Sequence, residues 1–256
     1  MALVTCNAIR AGALTLAAAV VLTNPVVESA AEIRVFTARA IATVLAEAGG
    51  EFERASGRKL IVISDLPAGF LRRANAGEKF DLVISGPDPI DGWIREGRLV
   101  AATRTEIARS GIGVEVRAGS PRPDISTVDA LKRALLNARS VAYLKVGSGV
   151  YLDGLLERLG IHEAIRPKAT RPDTDIVSEL VAKGDVELGV TVITQILTTR
   201  GVDLVGPLPP EVQSYVTFVA AAGAESNAKD AARELIAFLK GPRAVAVMKT
   251  QGMEPR

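Results

Sequence analysis

Apolar positions along this chain switch between two periods, one suited to a buried strand and one to a helix. Ile33-Arg34-Val35-Phe36 opens as a short strand, and Ile41, Leu45, Ala48 and Phe52 then recur at helical spacing. Gly57 supplies a stop for that helix, and Lys59-Leu60-Ile61-Val62-Ile63 predicts a second strand. Phe70 to Ala76 reads as a short helix closed by Gly77, and Asp81-Leu82-Val83-Ile84 as a third strand. That strand is mostly apolar, as expected when helices cover both faces of a sheet. Ile90 to Glu96 is helical and ends at Gly97. Such alternation with short connections predicts an α/β fold with a mostly parallel sheet.

The pattern then breaks and restarts. Ile112 to Val116 predicts a strand, and the turn-rich Gly119-Ser120-Pro121-Arg122-Pro123-Asp124 reads as an interlobe connection. Helices are expected over 127–136, with Thr127 as cap, over 150–159 ending at Gly160, and over 176–183 ending at Gly184. Strands are expected over 140–144, 187–193 and 215–222. A second Pro-rich passage spans Leu204 to Pro210, and closing helices cover 228–240 and 242–251. Two αβ units joined by two passages, with the last helices left to return to the first unit, predict two lobes around a cleft. The expected division is lobe 1 over 32–112 and 215–256 and lobe 2 over 113–214. Hinge crossings are expected near 113–120 and 206–216.

The start of the chain has a different character. Arg10 is the only charge before Glu28, and an unbroken apolar and small-residue run fills Ala11 to Leu22. With small residues at Ser29-Ala30-Ala31, this fits a cleaved secretory signal over 1–31, too short for the ~20 residues of a membrane-spanning helix. The only cysteine, Cys6, precedes the apolar run, whereas a lipid anchor needs its cysteine after it. The expected mature chain is periplasmic, free of thiols, and long enough, at roughly 225 residues, to be held by its core alone. Its formal charge is +2, too weak to imply a nucleic-acid partner, and no long basic run is present.

The ordered segments carry a family resemblance. Ile33 to Ile41, Phe80-Asp81-Leu82-Val83-Ile84-Ser85, Gly147-Ser148-Gly149-Val150-Tyr151, Gly184 to Val190, Ala237-Phe238-Leu239 and Gly252-Met253-Glu254-Pro255 follow one another in a familiar order. The chain resembles the molybdate-binding-type extracellular solute receptors of ABC transporters, which have the type 2 periplasmic binding-protein fold. The resemblance spans essentially the whole expected mature chain. It implies two αβ lobes, a hinge of two crossing strands and a ligand clamped in the cleft.

It also nominates residues. The family's first loop offers a hydroxyl and backbone N–H groups at a helix start, and here that loop is Thr37-Ala38-Arg39-Ala40. Arg39 stands where the family commonly has Ser. A cation at a helix N-terminus opposes the macrodipole, a conflict that a bound anion would resolve. The second loop, Pro67-Ala68-Gly69-Phe70, lacks the family's Ser but keeps the N–H groups of Ala68, Gly69 and Phe70, and the Phe70 ring is a further candidate. Ser85 follows the third strand. In the second lobe Gly147-Ser148-Gly149, with Tyr151 beyond, forms the strongest local signal, because Gly admits close backbone approach and Ser148 adds a hydroxyl. Where the family's molybdate receptors often place a Tyr, this chain has Val192, with Thr191, Thr194 and Gln195 as nearby polar groups. Tyr143 and Tyr215 are further candidates without an assigned position.

Two lost serines, a lost tyrosine and a gained arginine point away from molybdate and toward a small organic carboxylate, with molybdate, tungstate or another inorganic oxyanion as the alternative. Enzyme signals are thin. His162 is the only histidine, no HExxH spacing occurs, and Gly147-Ser148-Gly149 lacks the GxSxG context. Asp173 and Asp175 read as a solvated loop. The expectation is therefore a monomeric, cofactor-free and metal-free receptor, not an enzyme, that delivers a small anion to an inner-membrane ABC permease.

Overall fold

The computed structural model describes residues 1–2 and 32–256; the rest of the expected signal, including Cys6, Arg10 and Ser29 to Ala31, lies outside the described residues. Strands β1 (Glu32–Thr37), β2 (Lys59–Ser64) and β3 (Leu82–Ser85) alternate with helices α1 (Arg39–Ser56), α2 (Pro67–Asn75) and α3 (Pro87–Arg95). Next come β4 (Thr105–Arg117), α4 (Val128–Asn137), β5 (Val141–Ala142), α5 (Ser148–Arg158), α6 (His162–Ile165) and β6 (Ala169–Thr170). The chain continues through α7 (Val177–Lys183), β7 (Leu188–Val192), α8 (Ile193–Thr198), β8 (Val202–Pro207) and β9 (Tyr215–Ala222). It closes with α9 (Lys229–Leu239), α10 (Pro242–Thr250) and β10 (Met253–Pro255).

The strands follow the order β2-β1-β3-β9-β4-β7-β5-β6, with β8 and β10 also on β4. β1 pairs in parallel with β2 and β3, and β5 in parallel with β6 and β7. The antiparallel members are β9, between β3 and β4, and the pairings of β4 with β7, β8 and β10. β4 changes partners part-way along its length. Its residues up to Gly111 pair with β9 and β10, and from Ile112 onward they pair with β7 and β8. The crossing is thus made within one strand. The turn-rich segment 119–124 lies beyond it, tied to the second lobe where Gly119 N–H donates to Asp203 Oδ2 at 3.2 Å.

Side chains alternate across each strand, and both faces are covered. Ile33, Val35, Leu82, Ile84, Ala220 and Ala222 pack under α1, α9 and α10. Their neighbours Phe36, Val83, Val219 and Ala221 face the other way, onto Phe70, Ile90 and Trp93 of α2 and α3. In the second lobe Ile112, Val114, Val116, Val141 and Val190 pack against α4, α5 and α6. Ala142 and Leu144 pack against Val177 and Val181 of α7. The lobes therefore have separate cores. We expect Ile41→Ala and Leu155→Ala, each at a fully buried position, to cost about 2–5 kcal/mol in urea denaturation.

Candidate functional site

A cleft of about 550 Å³ lies between the lobes, lined by residues at or just after the C-terminal ends of β1, β2, β3, β5, β6 and β7 and by Tyr215 to Phe218 at the start of β9. Ligands of open α/β sheets bind at such strand ends. A larger groove, about 790 Å³, lies where β5 and β7 begin and lacks this geometry. The cleft wall is made largely of helix starts: Ala38-Arg39-Ala40 of α1, Leu66-Pro67 of α2, Gly86-Pro87-Asp88 of α3 and Gly147-Ser148 of α5. The N-caps of these helices, Ala38, Leu66, Gly86 and Gly147, make no side-chain cap hydrogen bond. Helices away from the cleft such as α9 and α10 also lack a side-chain cap, and α4 has one in Thr127, which accepts from Ala130 N–H at 3.1 Å; what sets these four starts apart is that they line one space. First-turn N–H groups and the positive ends of several helix dipoles are thereby directed at one space, an arrangement suited to an anion.

Local sequence explains one of these starts, that of α5. Gly147 has φ of +56°, open to Gly without strain, and turns the chain from β5 into α5. Gly149 leaves room for the Leu144 carbonyl oxygen, which would sit 1.6 Å from any Cβ placed there. The Ser148 loop is therefore held tightly against the end of β5. Gly149→Ala should cost about 1–3 kcal/mol in urea denaturation, the scale of an overpacked core.

Arg39, at the first position of α1, reaches across the cleft. Its Nη1 donates to the Asp175 carbonyl oxygen at 2.6 Å, and its Nη2 pairs with Glu179 Oε1 of α7. Of the other expected residues, Ala38, Ser85, Gly147 and Ser148 line the cleft, and Tyr215 and Gln195 join them. Thr37 does not; it is fully buried, with its hydroxyl donating to Ala38 O at 3.3 Å. Phe70 is packed in the core, stacked on Phe36 with ring centroids 5.4 Å apart. Ala68, Gly69 and Gly149 also lie outside the cleft lining. Tyr151 donates to Val212 O at 2.7 Å. Thr191 donates to Gln195 Oε1, and Thr194 donates to Ser110 Oγ at 2.9 Å, tying α8 to β4. Asp173 is exposed and pairs with Lys145, whereas Asp175 lines the cleft with one carboxylate oxygen buried, unlike the solvated loop expected. Among the described residues no group of three His, Cys, Asp or Glu side chains is arranged to hold a metal ion.

Comparison with known proteins adds the lineage. The family described as bacterial extracellular solute-binding protein matches residues 33–254. The chain belongs to that family. Its solved neighbours give the fold: the periplasmic molybdate-binding protein of Azotobacter vinelandii superposes with a TM-score of 0.72 at 17% identity, covering 86% of this chain and 98% of that one. In sequence, a Pseudomonas protein named aconitate isomerase is 29% identical over 229 residues, 87% of each chain. The molybdate-binding protein ModA of Azotobacter vinelandii is 25% identical over 234 residues, 87% of this chain and 90% of its own. The fold of this solute-binding protein is that of the two-lobed type 2 periplasmic binding proteins. Its family and fold neighbours are mostly transport-binding proteins, and one sequence relative carries an enzyme's name.

Three second-lobe carboxylates surround Arg39 in this solute-binding protein, Asp175 lining the cleft and Glu115 and Glu179 lying behind it. Glu115 alternates with Val114 and Val116 along β4 and is fully buried, its Oε1 accepting from Ser178 Oγ at 2.9 Å. Burial first, then repulsion from Glu179 and Asp175, pushes its pKa up to about 7, against the lowering pull of Ser178 and Arg39. Burial likewise raises Asp175, opposed by Gln195 and Arg39. Neither Glu115 nor Asp175 was among the expected ligand-contacting residues. A lone glutamate within an apolar strand pattern was the only trace of the first.

The sign of the pH effect follows from Glu115 holding its proton more tightly folded than unfolded. Its stabilising contribution is complete below about pH 4.5 and is lost as pH rises toward about 7. The loss is bounded at about 3 kcal/mol by the size of the shift. Melting temperature measured across this range should fall in the native protein and stay flatter in Glu115→Gln.

Proposed function

We propose that this protein captures a small organic carboxylate in its interlobe cleft and delivers it to an ABC permease in the inner membrane. The reading has it working in the periplasm as a monomer, after removal of residues 1–31. Arg39 carries the proposal: a guanidinium set among uncapped helix starts is suited to grip a carboxylate through paired hydrogen bonds. Gly147 and Ser148, at the α5 N-terminus, line the cleft from the other lobe. Closure would bend the two passages between sheets, one within β4 near Gly111 and Ile112 and the other between β8 and β9. A ligand that contacts both lobes favours the closed arrangement by its differential affinity for it.

Two other readings have specific support. The helix starts alone suit a tetrahedral oxyanion, in keeping with the molybdate-binding relative. Asp175, with its raised pKa on the cleft, suits proton transfer on a bound carboxylic acid, in keeping with the relative named aconitate isomerase.

A thermal-shift screen against aconitate, citrate, succinate, molybdate, tungstate, sulfate and phosphate separates the binding readings. A ligand at a hundredfold excess over its Kd stabilises the native state by about 2.7 kcal/mol. The expected result is a carboxylate shift that Arg39→Ala abolishes. A molybdate or tungstate shift that survives that substitution supports the oxyanion reading instead. Conversion of the bound acid in a product assay supports the enzyme.

A further inference from the structure

We propose that Glu179 is an in-chain competitor for the ligand carboxylate, and that its pairing with Arg39 latches the two lobes together across the cleft. The competitor role rests on the carboxylate reading above; the latch does not. Arg39 belongs to the first lobe and Glu179 to the second, so their ion pair spans the cleft using protein atoms alone. The other arm of the guanidinium is also taken by the second lobe, through the Asp175 carbonyl. Both of its Nη groups are thus held by the facing lobe.

The latch is built to be displaced. Glu179 accepts from Arg39 through Oε1, while its Oε2 is buried without a hydrogen-bond partner. A ligand carboxylate able to use both oxygens makes the stronger, bidentate pair. Behind Glu179 lies Glu115, whose own Oε2 is buried and unpartnered, and Asp175 keeps Oδ1 in the same condition. Repulsion within this group eases when Glu179 leaves. About a third of each partner's side chain is solvent-exposed, so salt weakens the pair. A tethered group of this kind competes at an effective concentration on the order of millimolar, and only ligands that outbid it close on Arg39.

The latch is tested without ligand. In a Cys6→Ser background, spin labels at Leu71→Cys on α2 and Val150→Cys on α5 occupy exposed positions on opposite lobes. Their distance distribution is expected to lengthen or broaden with Glu179→Gln, with the shorter Glu179→Asp, and in the native sequence at high salt. Identical distributions for the native sequence and Glu179→Gln would overturn the latch. In the thermal-shift panel, carboxylates are expected to bind Glu179→Gln about tenfold tighter; unchanged or weaker binding overturns the competitor role. If no carboxylate shifts either protein, the carboxylate reading fails and the competitor role with it, while the label distances still decide the latch.

Discussion

One strand serves two sheets, and the rest of the architecture depends on how it does so. Every buried backbone N–H and C=O along β4 needs a partner, and those partners change at a single point. Up to Gly111 they come from β9 and β10, and from Ile112 onward from β7 and β8. At that point a side chain joins the backbone partners. Gln213 donates through Nε2 to Ile112 O and accepts from Ile112 N–H through Oε1, both at 3.1 Å. Ile112 N–H also donates to Ser214 O at 3.1 Å and Ile112 O also accepts from Leu208 N–H at 3.0 Å, so the amide adds to backbone bonds that carry the chain from one sheet to the other. The Thr194–Ser110 pair locks α8 against the same region. This is a small, polar and well-bonded crossing between two separately packed cores, where the proposed closing motion would bend.

Placing parallel strands on both sides of that crossing turns their C-terminal ends toward a common space. Each strand leads into a helix, so the helix starts collect around the cleft. A positive potential built from backbone dipoles is costly to leave unanswered. Arg39 adds to it, and the second lobe answers with Asp175, Glu179 and Glu115. The cleft thus has an electrostatic balance set by two lobes that are far apart in sequence. An arginine at this helix start affects more than one contact, because the carboxylates facing it belong to the same balance.

Legibility in the sequence tracked how local the governing interaction was. β1, β3 and β9 were readable because both faces are apolar, and α4 because Thr127 is a local cap. The first half of β4, Thr105 to Gly111, was not read as a strand, since its pattern is interrupted by Arg109 and Ser110. Arg109 pairs with Glu254 of β10, and Ser110 is buried against Thr194. β8 was hidden inside a Pro-rich passage for a related reason: its partner is β4, distant in the chain. At the site, the positions of Arg39 and Ser148 at helix starts were legible. The burial of the candidates Phe70 and Thr194 was not legible, because the neighbours they pack or bond with, Phe36 and Ser110, come from other elements. Asp175 looked solvated because nothing local shows that Gln195 and Arg39 enclose it.

What the sequence determined by itself was the alternation of strands and helices, the family, and the helix starts offered to a ligand. Those follow from side-chain period, turn residues and short motifs, each set within a few residues. The partner change inside β4, the pairing of Arg39 with Glu179 and the burial of Glu115 were decided only by tertiary structure. The residues involved lie on different strands and lobes, and whether a charge is solvated, paired or buried depends on which surfaces meet once both cores have formed.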